Sequence, residues 1–178
     1  MPTTLLLDKE EMTRILERLA CEVLERHGQC ERVMLVGIER RGADLARRLG
    51  ALMQQKLQRP LPLGTLDINL YRDDWTTMHA RPTIGESNIT TPLDNKNVIL
   101  VDDVLFSGRT IRAALEALLD YGRPRKVELL VLVDRGHREL PIQADYIGRS
   151  VDTRPQEQVD VLLEERDGRD EVLLTAKN

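Results

Sequence analysis

The stretch that most limits what this chain can become is "NVILVDDVLFSGRT", residues 97–110. Val98, Ile99, Leu100 and Val101 run without a polar break. A strand that is apolar on both faces needs cover on both, which is the situation of a central strand in a parallel sheet. Asp102 and Asp103 follow at once, and "TIRAALEALLDYG" (110–122) then takes up helical spacing and stops at a glycine.

The same alternation continues on either side. "RVMLVG" (32–37), "LGTLDINLY" (63–71) and "KVELLVLV" (126–133) read as strands, and "ADLARRLGALMQQKL" (43–57) as a helix. Asp8 and Glu11 make a capping-box pattern ahead of Met12, Ile15, Leu16, Leu19 and Val23, with Gly28 as the stop. Near the C-terminus, "VDVLLEE" and "DEVLLT" flank "RDGR", which predicts a β-hairpin built on Asp-Gly. Residues 72–96 carry little core-forming pattern over 25 positions, so a working flap is expected there. The whole predicts a single α/β domain over 1–178, an open, mostly parallel twisted sheet flanked by helices with a C-terminal β-hairpin.

Composition narrows the function. Charged residues are 31% and the hydrophobic set 41%, as in a globular protein, and aromatics are only 3%. Few rings are therefore on hand to stack bases, which disfavours an aromatic single-strand-binding platform. A net charge of −4 argues against indiscriminate phosphate-backbone binding but leaves room for a local basic patch. Cys21 and Cys30 have no zinc-type Cys/His spacing around them, and a reduced cytoplasm is the expected setting. The first residues lack a basic start and a long apolar run, so neither a signal peptide nor a membrane span is expected.

In an open α/β sheet, ligands collect at the carboxyl ends of the strands, where Asp102 and Asp103 fall. Neighbouring strand residues face opposite ways, so both carboxylates serve one ligand only if the chain is already turning. The loop after them leads into a helix N-terminus, whose amides and dipole favour a phosphate. Ser107 and Thr110 add hydroxyls, and Gly108 permits close backbone approach. No Gly-Lys-Ser/Thr follows, so this is not a P-loop. Acid pair, short spacer and anion loop together suit a magnesium-bound sugar phosphate.

"VILVDDVLFSGRT" resembles the phosphoribosyl-diphosphate (PRPP) signature of type I phosphoribosyltransferases. "LVGIERRGADLARRL", "DINLYRDD" and "GRPRKVELLVLVDRGHRELPIQADYIGR" extend the likeness across nearly the whole chain. They are similar to one subfamily, the bifunctional pyrimidine-operon attenuation proteins and uracil phosphoribosyltransferases. That resemblance implies a type I phosphoribosyltransferase fold with a small hood, and an enzyme that converts uracil and PRPP to UMP and diphosphate with Mg²⁺.

It also implies roles for particular residues. Val98, Ile99, Leu100, Val101, Asp102, Asp103, Val104, Leu105, Phe106, Ser107, Gly108, Arg109 and Thr110 become the PRPP and UMP segment. Asp102 and Asp103 hold the ribose hydroxyls and, through ligand and water, the metal; Asp103→Asn is expected to lower turnover well beyond its effect on folding. Arg40 and Arg41 in "GIERRG" become pyrophosphate contacts, for which a planar guanidinium fork is apt; without the resemblance, this turn reads equally as a solvated connection. "LYRDD" opens a lid from which Arg72 reaches the pyrophosphate, with Asp73 and Asp74 as candidates for metal-bound water or for simple loop solvation. The hood segment "VDRGHRELP" would read uracil through backbone around Val133 and Asp134, with Arg138. His137 stays open between general base, RNA contact and surface residue.

The family also binds a leader stem-loop of pyrimidine-operon messenger RNA in response to UMP or UTP, promoting transcription termination. Arg18, His137 and Arg149 are the RNA candidates here, within a wider set of Arg14, Arg123, Arg125, Lys126, Arg138 and Arg154. The resemblance implies that these gather on one face of a dimer or larger homo-oligomer. Glu17 and Cys21 stand where relatives often carry threonine and histidine, and a carboxylate there weakens RNA binding. The alternative is a plain phosphoribosyltransferase for uracil or a purine base, with no RNA role; a hood without an aromatic to stack a purine speaks mildly for uracil.

Overall fold

The computed structural model describes residues 3–73 and 86–176. In chain order the elements are β1 (Thr3–Leu7), α1 (Lys9–His27), β2 (Val33–Ile38), α2 (Arg41–Leu57), β3 (Leu63–Leu66), β4 (Asn97–Leu105), α3 (Arg109–Leu118), β5 (Lys126–Asp134), β6 (Tyr146–Ser150), β7 (Glu157–Leu162), α4 (Glu164–Asp167) and β8 (Glu171–Ala176). Five strands form a parallel sheet in the order β3-β2-β4-β5-β6, and β1, β8 and β7 make a separate antiparallel sheet.

The apolar run 98–101 lies at the centre of the parallel sheet, fully buried. Its side chains alternate between two cores, as period-2 geometry requires. Ile99 and Val101 join Leu35, Leu130 and Leu132 beneath α1 and α2, whereas Val98 and Leu100 join Met34, Val36 and Val131 beneath α3. The expected capping box is present: the Asp8 carboxylate accepts from Glu11 N at 2.8 Å, and Glu11 accepts from Asp8 N at 3.0 Å. No helix among the described residues is long and apolar enough to cross a membrane.

Two expectations are corrected, and the structure adds a strand for which there was no expectation. The strand expected over 63–71 ends at Leu66, and a 3-10 turn occupies Asn69–Tyr71. Asp67 causes the break, since its carboxylate accepts from Asn69 N at 2.8 Å and so closes a local turn. The C-terminal hairpin pairs as expected, yet its connection is not a tight Asp-Gly turn. Glu164–Asp167 forms one helical turn, and Gly168 ends it at φ +69°. Finally, β1 is a strand that local pattern did not reveal, because its partner β8 lies at the other end of the chain.

At the amino edge of the parallel sheet, Glu128 is fully buried, with Lys126 Nζ at 2.6 Å, His27 Nε2 at 2.5 Å and Tyr146 Oη at 3.0 Å. Burial acts to raise its carboxyl, but the hydrogen bonds from Lys126, His27 and Tyr146 outweigh it and bring the pKa down to about 2. A depressed carboxyl contributes stability that is present above the unfolded value and is lost as pH falls towards the folded one. Glu128→Gln is therefore expected to be less stable by about 2 kcal/mol at pH 6, allowing for solvent at the lysine, with the gap closing near pH 2. Denaturant titrations at several pH values check this, and a constant gap would refute it.

Candidate active site

Two clefts open at the carboxyl end of the parallel sheet and share residues. One, of ≈ 230 Å³, is bounded by the β2–α2 turn (Ile38, Glu39, Arg40 and Arg41), by Ile68 and Asn69, and by Arg72, Asp102, Asp103, Val104 and Thr110. The other, of ≈ 200 Å³, is lined by Arg72, Asp73, Ser107, Arg109 and Thr110. Arg72 and Thr110 belong to both, so the two halves meet. Asp102 and Asp103 therefore face one cavity although they are consecutive.

The acid pair is placed at a cost. Asp102 is 6% exposed, and its Oδ1 accepts from Asp103 N at 3.0 Å. Among the described residues no cation pairs with it. Burial first, and then the Asp103 carboxylate beside it, hold the Asp102 carboxyl well above the usual carboxylate range. Asp103 Oδ1 accepts from Val104 N at 2.8 Å. A buried carboxylate without a cation fits a ligand that brings positive charge with it. Two carboxylates are what magnesium typically takes from a protein when phosphates and waters complete its shell. No group of three or more metal-ligating side chains occurs among the described residues, so a metal here would depend on its ligand.

The anion loop is built next to this pair. Gly108, at φ +90°, caps α3 in a left-handed conformation that glycine adopts without strain. Ser107 Oγ accepts from Arg109 N at 3.3 Å, while the Ser107 carbonyl accepts from Glu139 N at 2.9 Å and Leu140 N at 3.2 Å. The loop is thereby tied to the segment after β5. Arg138 strengthens that tie, donating to the Phe106 carbonyl and the Ile142 carbonyl at 2.9 Å each and to Asp134 Oδ2 at 2.5 Å.

Several expected site residues lie outside the two clefts or have their side chains engaged within the chain. Val98 to Val101 and Leu105 are buried in the sheet and line neither cleft. The Val133 side chain is likewise buried, and Arg138 spends its donors on backbone and Asp134, so the hood is held by its own side chains. His137 Nε2 lies 2.6 Å from the Thr153 carbonyl, and its ring meets Phe106 edge-on at 6.2 Å. Arg41 lines the cleft, but its guanidinium is held by the Asp167 carboxylate at 3.1 and 3.2 Å. Arg40 is exposed and forms no ion pair among the described residues.

Other contacts around the site were not visible in the sequence. Asp73 bridges to Arg109 Nη1 at 2.8 Å and to Arg112 Nη2 at 2.5 Å, latching the start of the 72–96 segment to the head of α3. Asp74 lies outside the described residues, as does most of the expected flap. Arg166 of α4 bonds Asp44 and the Arg40 carbonyl, and Arg48 holds Glu165 and Asp170, so the C-terminal hairpin braces the Arg40 turn from behind. Asp73→Ala removes one of two carboxylates from each of two guanidinium groups beside the anion loop, leaving Arg109 with Glu139 and Arg112 with Glu116. It is expected to lower the KM for a phosphorylated substrate about threefold, the scale of an exposed ion pair; a raised KM would instead mean that Asp73 serves the substrate.

The expected RNA residues do not lie together within one chain. Arg18 donates to the Ile147 carbonyl at 3.1 Å and pairs with Glu22, Arg14 pairs with Glu10 at 3.6 Å, and Arg149 bonds the Leu6 carbonyl at 3.0 Å and Glu11 at 3.6 Å. His137, Arg138 and Arg154 sit at the opposite end of the sheet from Arg123, Arg125 and Lys126.

Comparison with known proteins agrees with this geometry. Residues 3–164 match the model of the phosphoribosyl transferase domain. The bifunctional protein PyrR of Syntrophobacter fumaroxidans is 51% identical over 168 residues, covering 94% of this chain and 90% of that protein. Its namesake in Enterococcus faecalis is 47% identical over 178 residues, covering 100% and 99%. In fold, the chain is similar to the hypoxanthine phosphoribosyltransferase of Trypanosoma cruzi, with TM-score 0.73 at 14% identity over 98% of this chain and 97% of that one. The Staphylococcus aureus hypoxanthine phosphoribosyltransferase gives 0.67 at 22%, over 98% and 92%. The family model and the relatives of nearly full length together establish that this chain belongs to the phosphoribosyl transferase domain family and, within it, to the bifunctional PyrR proteins.

Proposed function

We propose that the chain transfers the 5-phosphoribosyl group of PRPP to uracil, giving UMP and diphosphate, and that it also binds the leader RNA of pyrimidine-operon messages in response to UMP or UTP. The observation that carries the catalytic reading is the buried, cation-free Asp102 beside Asp103, facing one cavity with Arg40, Arg72 and Thr110. Family membership supports the regulatory half.

In this reading Ser107, Thr110 and the α3 amides take the 5′-phosphate, and Asp102 and Asp103 take the ribose hydroxyls. Arg40 and Arg72 meet the diphosphate, with Arg41 braced behind them by Asp167. Uracil N1 forms its bond to C1 as the C1–O bond to diphosphate breaks on the opposite face, and the N1 proton leaves to solvent or base. The sugar gains positive charge in passing, which the two carboxylates stabilise. Magnesium, when bound with PRPP, neutralises the leaving group. Uracil is read by hood backbone next to Val133 and Asp134, whose side chains are otherwise engaged. The protein works in the cytoplasm as a single domain and as a homo-oligomer.

A base panel tests the catalytic half. With PRPP and magnesium, uracil is expected to be consumed, and hypoxanthine and adenine are expected to be left untouched. Turnover of a purine without uracil would overturn the assignment.

A further inference from the structure

A carboxylate stands where a diphosphate is expected. Glu39 precedes Arg40 in the β2–α2 turn and lines the same cleft as Arg40, Asp102 and Asp103. Like charges repel, and more strongly in a cleft than in bulk water. Left unbalanced, Glu39 would drive off the ligand that the Arg40 turn is proposed to receive.

The balance comes from the far end of the chain. Arg166, in the helical turn α4 of the C-terminal hairpin, brings its Nη2 to 3.7 Å from Glu39 Oε2. The same nitrogen donates to the Arg40 carbonyl at 3.2 Å. Among the described residues no other cation pairs with Glu39. Arg166 Nε donates to Asp44, which is buried in the first turn of α2. Asp44 also accepts from Arg47 Nη1 at 2.5 Å, so this buried carboxylate has a second cation.

α4 is itself held in place. Arg48 of α2 donates to Glu165 at 2.8 Å and to Asp170 at 2.7 Å, and Asp167 Oδ2 accepts from Leu163 N at 2.9 Å. The Arg40 turn, by contrast, has no side-chain cap at the head of α2. A helix start without such a cap depends on other contacts to fix it. Here the hydrogen bond from Arg166 to the Arg40 carbonyl is one of them.

We propose that Arg166 is a positioning residue for the diphosphate group. One guanidinium nitrogen holds both the Glu39 carboxylate and the Arg40 carbonyl, which offsets the wrong-signed charge and fixes the turn that carries Arg40. Arg166 lines neither cleft and acts through these two residues. The inference rests on the phosphoribosyl-transfer half of the proposed function and gives the C-terminal hairpin a part in it.

The test is calorimetric titration of PRPP and of diphosphate, each with magnesium, alongside steady-state turnover of uracil. Arg166→Ala is expected to weaken both ligands and to raise the KM for PRPP about tenfold, the scale of one hydrogen bond to a charged group. The kcat at saturating PRPP and the KM for uracil are expected to change less than about twofold, the pattern of lost binding without lost chemistry. Arg166→Lys, which keeps a cation near Glu39, is expected to stay within about threefold of the parent. Adding Glu39→Gln to Arg166→Ala is expected to recover most of the lost affinity, because the unbalanced charge is gone. Should Arg166→Ala fold poorly, Arg166→Gln/Asp44→Asn removes the buried carboxylate along with its cation and is expected to act in the same direction. A merely structural role for Arg166 gives no rescue by Glu39→Gln, so absence of that rescue overturns the proposal. A KM for uracil that rises as much as that for PRPP also overturns it, as the mark of general loosening. If Arg166→Ala binds both ligands as the parent does, the role of Arg166 falls while phosphoribosyl transfer stands. If the parent binds neither PRPP nor diphosphate, the catalytic reading falls and this role with it.

Discussion

Asp102→Asn is expected to melt a few degrees above the parent chain and to turn over about a hundredfold more slowly, or worse. Both effects come from one feature. In the free protein the Asp102 carboxyl is buried beside Asp103 without a cation, and burial and that neighbour raise its pKa. A raised carboxyl penalises the fold at pH values above the unfolded pKa, because the unfolded chain ionises there freely. The asparagine amide keeps the acceptor for Asp103 N and removes the charge. The gain should therefore be present at pH 7 and disappear near pH 3, where both states hold the proton. Each kcal/mol moves the midpoint of a chain of this size by about 2–4 °C. Under the proposed function catalysis suffers as well, because Asp102 would no longer offer a charge to the transition state, a loss typically of 10²–10³ for such groups. Calorimetry across pH, paired with turnover, checks both arms, and a variant of lower stability at pH 7 would contradict this account of Asp102. The trade of stability against activity is common at active sites.

Gly42→Ala is expected to destabilise the protein by about 1–3 kcal/mol, the usual range for overpacking, and to cut kcat/KM for PRPP by more than tenfold. A methyl group on Gly42 falls on the Val101 carbonyl oxygen and 3.1 Å from the Asp102 Cα. These are backbone atoms of the central strand and have no room to move. The head of α2 must back away, carrying Arg40 and Arg41 from the acid pair, and displacements near 1 Å cost rate steeply. Gly50→Ala in the same helix is the control. Its methyl meets only the flexible ends of Leu63 at 3.2 Å and Leu35 at 3.5 Å, so activity should survive. Equal losses of activity in the two variants would show that helix composition, and not this contact, governs the site.

Much of this was legible in the chain itself. Four consecutive apolar residues before Asp102 identified the central strand, because only a strand covered on both faces tolerates them. The Asp8–Glu11 box marked the start of α1 for an equally local reason. The failures were those of long range or of a single side chain. β1 pairs with a strand at the far end of the chain, and no window of neighbouring residues records that. Asp67 ended β3 through one hydrogen bond that alternation does not register. Within the site, the sequence pointed to the acid pair and the arginines but not to which arginines are already committed. Arg41 meets Asp167 and Arg109 meets Asp73 across separations of 126 and 36 residues, so only the folded chain shows them paired.

In the proposed function the acid pair and the Ser107–Thr110 loop hold the two ends of one phosphorylated ribose. Calorimetric titration of PRPP into the parent chain and into Asp102→Asn/Asp103→Asn, with and without magnesium, tests it most directly. The parent is expected to show one PRPP site, strengthened by magnesium, and the double variant to fold, keep at most weak binding and gain nothing from the metal. Equal, magnesium-enhanced PRPP binding in both proteins would contradict it.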